Sequence, residues 1–273
     1  MAAFIFLHGS FHAAWNWHRV IPVLADAGHT SIALDLPGHG KNRMTPASAG
    51  LARNVQCVCD CIDALAPDED IVLVAHSRNG IVISQTAEAR AERINGLVYL
   101  AAYLVPHGRS MMDYAILDTQ SLVVRNLARP LPPALLRRMV RMFKSPIMRK
   151  IGAALLPHRM QTHSLRKEAY REALYHDCGE EIVELANALL EEEPNWAGFE
   201  PLSLSAEKYG RVPKIYLECL QDRAVTLPLQ RRMQKDTPCD RVMALDSSHS
   251  PFFSQPEKLA AALGECLAYF RTR

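Results

Sequence analysis

The chain has 273 residues, 49% hydrophobic and 22% charged, which suits one large globular domain or a domain with an insertion and argues against long disorder. With 31 Lys and Arg against 29 Asp and Glu the formal net charge is +2, so there is no global basic signature for nucleic acid. No stretch approaches the roughly 18 apolar residues of a membrane span, and neither a nucleic-acid nor a membrane partner is expected.

Residues 3–7 read as an apolar strand that runs straight into the loop His8, Gly9, Ser10, Phe11. No charged leader precedes that run, so no cleaved signal peptide is expected. A helix over 17–27 ends at Gly28, and a strand over 30–34 leads into the turn-rich DLPGHG. Residues 51–65 are helical and hold Cys57, Cys59 and Cys61. At i, i+2 and i+4 only the outer two share a helix face, and metal-type cysteine pairs are lacking. Seven cysteines, an odd number in a chain too large to need staples, read as packed free thiols in a reducing cytoplasm. Neither a metal nor an organic cofactor is expected.

A buried strand over 70–75 meets Ser77, and a helix runs on to about residue 90. Strands follow over 96–101, 214–220 and 241–245, and a last helix over 256–270. Short apolar strands alternating with helices predict an α/β protein whose mostly parallel sheet is covered on both faces. Residues 107–196 differ, with helical stretches and no convincing strand. Residues 107–167 carry 12 Lys and Arg against 2 Asp and Glu, and six of the ten Met; residues 168–193 carry 1 Arg against 9 acids. The charge runs read as solvated faces or as halves that pack near each other. The methionines would give a cap over a pocket an adaptable apolar wall. The expected division is therefore a core of 1–106 and 197–273 with a helical cap of 107–196.

Ser77 lies where a strand turns sharply into a helix, a place that exposes a hydroxyl. Such turns carry glycine two residues either side of the serine; here Ala75 and Asn79 stand there. Alanine is the next smallest side chain, and asparagine tolerates left-handed geometry. A serine nucleophile needs a base and an acid. His249, in DSSHSPFF, follows the strand over 241–245, and Asp222, in ECLQDRAV, follows the strand over 214–220. All three stand at C-terminal strand ends, where a parallel sheet gathers its site. Backbone amides of Ser10 and Arg78 are the candidate oxyanion donors, with Gly9 allowing a close approach. Gly9, Phe11 and Trp196 are candidate substrate contacts, and Asp113, Tyr114, Tyr175 and His176 are further pocket-wall candidates. His8 and His12 read as residues that order the loop. The Arg78 side chain is expected to turn away, the alternative being that it meets an anionic substrate group.

Taken together, FIFLHGSFHAAWNW, AGHTSIALDLPGHG, VLVAHSRNG, VYLAAYLVP, QDRAVTLPLQRRM and DSSHSPFFSQPEKLAAAL resemble the α/β-hydrolase superfamily. More narrowly, the chain resembles the branch of plant methylesterases and hydroxynitrile lyases with their bacterial esterase relatives. The likeness covers roughly residues 4–40, 70–106 and 214–263, and the cap matches only as a helical insertion. It implies an α/β-hydrolase fold, Ser77 as nucleophile, Asp222 as acid, His249 as base and oxyanion amides at Ser10 and Arg78. Lyases of that branch tend to carry a hydroxyl residue after the first-loop histidine and a lysine after the catalytic histidine. Gly9 and Ser250 hold those positions here and look esterase-like. The expected activity is hydrolysis of a small-molecule carboxylic ester, with a methyl ester of a small aromatic or polycyclic acid as one form. The alternatives are a lyase on the same triad and a small-molecule receptor with little turnover. A monomer and a homodimer are both compatible with the sequence.

Overall fold

The structure, a computed structural model, describes residues 2–273. Along the chain the first half gives β1 Ala3–Leu7, α1 Val20–Asp26, β2 Thr30–Leu34, α2 Leu51–Asp63, β3 Ile71–His76, α3 Gly80–Arg90 and β4 Gly96–Leu100. The insertion follows as α4 Met111–Ala115, α5 Leu122–Arg125, α6 Pro133–Phe143, α7 Pro146–Leu155, α8 His158–Gln161, β5 Thr162–His163, α9 Tyr170–Leu174, α10 Glu180–Leu189, β6 Glu193–Pro194 and α11 Trp196–Phe199. The chain then returns to the core with β7 Lys214–Cys219, α12 Leu227–Asp236, β8 Arg241–Leu245, α13 Pro251–Ser254 and α14 Pro256–Phe270.

Six strands form one sheet in the order β2-β1-β3-β4-β7-β8, and every pairing is parallel. The central strands are buried along their whole length, and apolar but for His76 at the end of β3, because both faces are covered. Phe4, Phe6, Val72 and Val74 pack on one side with Leu259, Leu263 and Leu267 of α14. Ile5, Leu7, Leu73 and Ala75 pack on the other with Val58 and Ile62 of α2 and Ile81 and Val82 of α3. Since all strands point one way, the loops after Leu7, His76, Cys219 and Leu245 leave the same edge of the sheet. No helix among the described residues is long and apolar enough to cross a membrane.

Two expectations shift. The helix expected over 17–27 is a 3₁₀ turn, Ala14–Trp17, followed by α1. Pro22 has no N–H for the His18 carbonyl and its ring would crowd it, so an α-helix cannot begin so early. The insertion also contains a strand pair: β5 and β6 pair antiparallel, Thr162 with Pro194 and His163 with Glu193. Two residues per strand leave no periodicity to read.

Candidate active site

Ser77 sits at the end of β3 with φ 55°, in the left-handed region. Holding a non-glycine residue there costs on the order of 1–3 kcal/mol. Phe11 (φ 68°), after β1, and Ala101 (φ 42°), after β4, share that geometry, so three adjacent strands each end in a strained turn. Asn79 does not: its φ is −79°. Its tolerance of left-handed geometry is therefore not what suits it here. Its Nδ2 donates to the His8 carbonyl at 2.5 Å, tying the turn after β3 to the loop after β1. Close approach falls instead on Gly80, where a Cβ would lie 2.4 Å from the Tyr103 carbonyl oxygen.

His249 and Asp222 meet across 27 residues of sequence, with His249 Nδ1 2.6 Å from Asp222 Oδ2. Both are buried. Asp222 Oδ1 accepts from the amides of Ala224 (2.7 Å) and Val225 (3.0 Å), which orients the carboxylate. Gln230 Nε2 adds a contact to Oδ2 at 3.3 Å. His76 donates Nε2–H to the His249 carbonyl at 2.8 Å, holding the loop that carries the ring. Burial, then the neighbouring His249, push the His76 pKa well down, so it stays neutral in this role.

The loop after β1 is ordered by its own histidines. His8 Nδ1 donates to the Gly9 carbonyl (2.8 Å) while Nε2 accepts from the Leu36 amide (3.3 Å). His12 Nδ1 donates to the Ser10 carbonyl (2.7 Å) and Nε2 accepts from the Tyr175 hydroxyl (2.5 Å). Burial is the main cause that lowers both, His8 to about 3 and His12 to about 4. Among the described residues the Ser10 amide has no protein acceptor.

One residue at this site has no sign in the sequence. Glu193, on β6, is buried among the core loops. Its Oε2 accepts from the Phe11 amide (3.0 Å) and from His39 Nε2 (3.2 Å), and its Oε1 from Arg78 Nη1. Burial alone would raise its pKa, but the Arg78 guanidinium and then His39 outweigh it and hold the carboxyl well below the usual range. Arg78, with its guanidinium buried against Glu193, is thus not free for an anion. It lies in the cavity wall with its charge already matched.

Ser77 and His249 open on a cavity of about 460 Å³ between the sheet edge and the insertion. Ser10, Phe11 and Arg78 line it together with the serine, as do Met111, Met112, Met139, Met142 and Met160. Two proposed substrate contacts are displaced. Gly9 is not on the wall: a Cβ there would lie 2.5 Å from His76 Nδ1, so its part is to let the loop press against β3. Trp196 is not on the wall either. It packs edge-on against Phe143 (5.2 Å) and donates to Gln161 Oε1 at 3.0 Å, inside the insertion's own core. Asp113, Tyr114, Tyr175 and His176 also lie off the wall; Asp113 caps α4 and Tyr114 bonds Asp236.

The Alpha/beta hydrolase family matches residues 4–262. Methylesterase 7 of Arabidopsis thaliana is 30% identical over 270 residues, covering 96% of this chain and 95% of that one. Methyl jasmonate esterase 1 of Vitis vinifera is 27% identical over 277 residues, covering 96% and 95%. Another Arabidopsis thaliana relative, 28% identical over 268 residues, is longer, and the chain spans 63% of it. Among solved structures, a methylesterase from Arabidopsis superposes with TM-score 0.76 at 23% identity, over 98% of this chain and 100% of that one. A pyrethroid hydrolase from Sphingobium faniae gives 0.79 at 22%, over 98% and 97%. At those identities the two structures speak for the fold alone.

Proposed function

This chain belongs to the α/β-hydrolase family, in its methylesterase branch, and is on that footing a carboxylic-ester hydrolase; we propose that it works through Ser77, His249 and Asp222. The observation that carries the reading is the 2.6 Å contact between His249 Nδ1 and Asp222 Oδ2 behind a left-handed Ser77, with Ser77 and His249 opening on one cavity. Ser77 Oγ attacks the ester carbonyl while His249 Nε2 takes its proton. Asp222 accepts Nδ1–H, which fixes the tautomer and stabilises the imidazolium. Negative charge on the carbonyl oxygen falls to the Ser10 and Arg78 amides. His249 then returns the proton to the departing alcohol, and water, activated by the same ring, releases the acid.

The proposed substrate is a neutral, largely apolar ester, with a methyl ester of an aromatic or polycyclic acid as the leading form. An apolar cavity of about 460 Å³ falls within the usual size for small-molecule sites, and Arg78 is already paired. Seven cysteines, none joined to another, suit a reducing compartment such as the cytoplasm. The test is turnover of p-nitrophenyl esters of increasing chain length and of aromatic methyl esters by wild type and Ser77→Ala. Ser77→Ala is expected to lose about 10³-fold or more in kcat while staying folded. Full activity in that variant would reject the scheme.

A further inference from the structure

We propose that Glu193 is a positioning residue for the oxyanion hole: a carboxylate supplied by the insertion holds Phe11 and Arg78, so that the hole is complete only while the insertion is seated. The inference rests on the serine-hydrolase reading above and adds a residue to it. One of the two assigned oxyanion amides belongs to Arg78, and the other, at Ser10, directly precedes Phe11. Glu193 therefore grips the molecule beside one donor and at the side chain of the other.

Phe11 is the more telling contact. At φ 68° its backbone is in a conformation unfavourable for a phenylalanine, and something outside the loop must hold it. The insertion takes both of its backbone groups: the N–H donates to Glu193 Oε2 (3.0 Å) and the carbonyl accepts from the Glu191 amide (2.9 Å). Its ring meets His163 edge-on at 5.4 Å, and His163 is the residue paired with Glu193 in the β5–β6 ladder. The β5–β6 pair, with Glu191 just before it, thus holds the turn that carries Ser10 through three contacts.

The chemistry of the clamp requires a carboxylate. Three donors, the Phe11 amide, His39 Nε2 and Arg78 Nη1, converge on two oxygens. Only a group that accepts on both atoms satisfies them all. A glutamine can keep its oxygen on Phe11 and His39 only by turning its NH₂ against Arg78, so Glu193→Gln keeps the shape and breaks the clamp at Arg78.

The experiment compares wild type, E193Q and the charge-balanced R78M/E193M as full-length chains. It reads kcat and KM on one p-nitrophenyl ester, expressed per Ser77 labelled by a fluorophosphonate, together with thermal unfolding. Misplacing a donor should cost less than the loss of one, so both variants are expected to drop about 10–100-fold in kcat with KM changed less than about threefold. E193Q leaves Arg78 as an unpaired buried charge and can fail to fold for that reason alone. The double variant removes that penalty, releases the Phe11 amide as well, and then decides the matter. A kcat per labelled serine equal to wild type, in whichever variant folds, would overturn the proposal, because a purely structural residue changes the amount of folded protein and not its turnover. Equal turnover by wild type and Ser77→Ala would instead remove the hydrolase reading, and this inference with it.

Discussion

Asp222 accepts four hydrogen bonds on two oxygens, and one of the four donors is the His249 ring, which it would orient in the proposed mechanism. Replacing it with asparagine keeps the volume but offers the imidazole an NH₂, which favours the wrong tautomer. Asp222→Asn is expected to lower kcat by on the order of 10³–10⁴-fold with the protein still folded, read by steady-state kinetics. Turnover within tenfold of wild type would remove Asp222 from that role. At this scale the sequence carries what local grammar carries. Ser77 follows a buried strand, Ser10 follows a histidine-glycine pair, and Asp222 and His249 each follow a strand end. Glu193 has no such grammar. It is one of three consecutive glutamates, and its partners Arg78 and Phe11 lie 115 and 182 residues away along the chain. Only a folded insertion makes it different from Glu192, which stays near solvent and pairs with Arg129.

Among the elements, the sheet and the insertion followed different logic. The inner strands are short apolar runs buried on both faces and the edge strands β2 and β8 are short runs bounded by turns, so β1, β2 and β8 occur over the residues expected and β3, β4 and β7 within one residue at each end. The insertion's helices are short and its contacts are made pairwise, so its placement is not readable from periodicity. Its acidic half reaches core arginines, with Glu181 on Arg19, Glu191 on Arg43 and Glu172 on Arg223, as well as Glu193 on Arg78. The same placement separates two roles in the insertion. Met139 lines the cavity, whereas Trp196 fills the insertion's interior. Met139→Trp is therefore expected to shorten the longest p-nitrophenyl ester that is cleaved well. Trp196→Phe should leave that chain-length profile in place and lower stability by on the order of 1–3 kcal/mol, seen by thermal unfolding. A changed profile in Trp196→Phe would return that residue to the pocket wall.

For the whole molecule, burying neutral histidines in the loop after β1 has a cost in acid. Burial depresses His8 to about 3 and His12 to about 4, against an ordinary value of 6.5. As pH falls through 6.5 the unfolded chain takes up protons that the folded chain refuses, so stability is lost from there down toward pH 4. Each of these histidines contributes a loss of about 1.4 kcal/mol per pH unit within that window. Urea midpoints measured at pH 7, 6, 5 and 4 should fall progressively, with most of the decline below pH 6. An unchanged midpoint from pH 7 to pH 5 would show that the two rings are not held neutral. Glu193, whose folded pKa is depressed, adds its own loss only at lower pH, below the ordinary 4.5 of a glutamate.

The sequence by itself determined the parallel α/β architecture, the placement of Ser77, Asp222 and His249 at the C-terminal ends of strands, and the helical character of residues 107–196. Those features are written in local spacing: apolar runs, turn residues and strand ends. The tertiary structure alone decided that Glu193 closes on Phe11 and Arg78, that methionines rather than Trp196 face the cavity, and that Asn79 serves as a hydrogen-bond donor to His8. Each of those depends on which distant segments pack together, and packing between segments far apart in the chain leaves no period and no motif in either one.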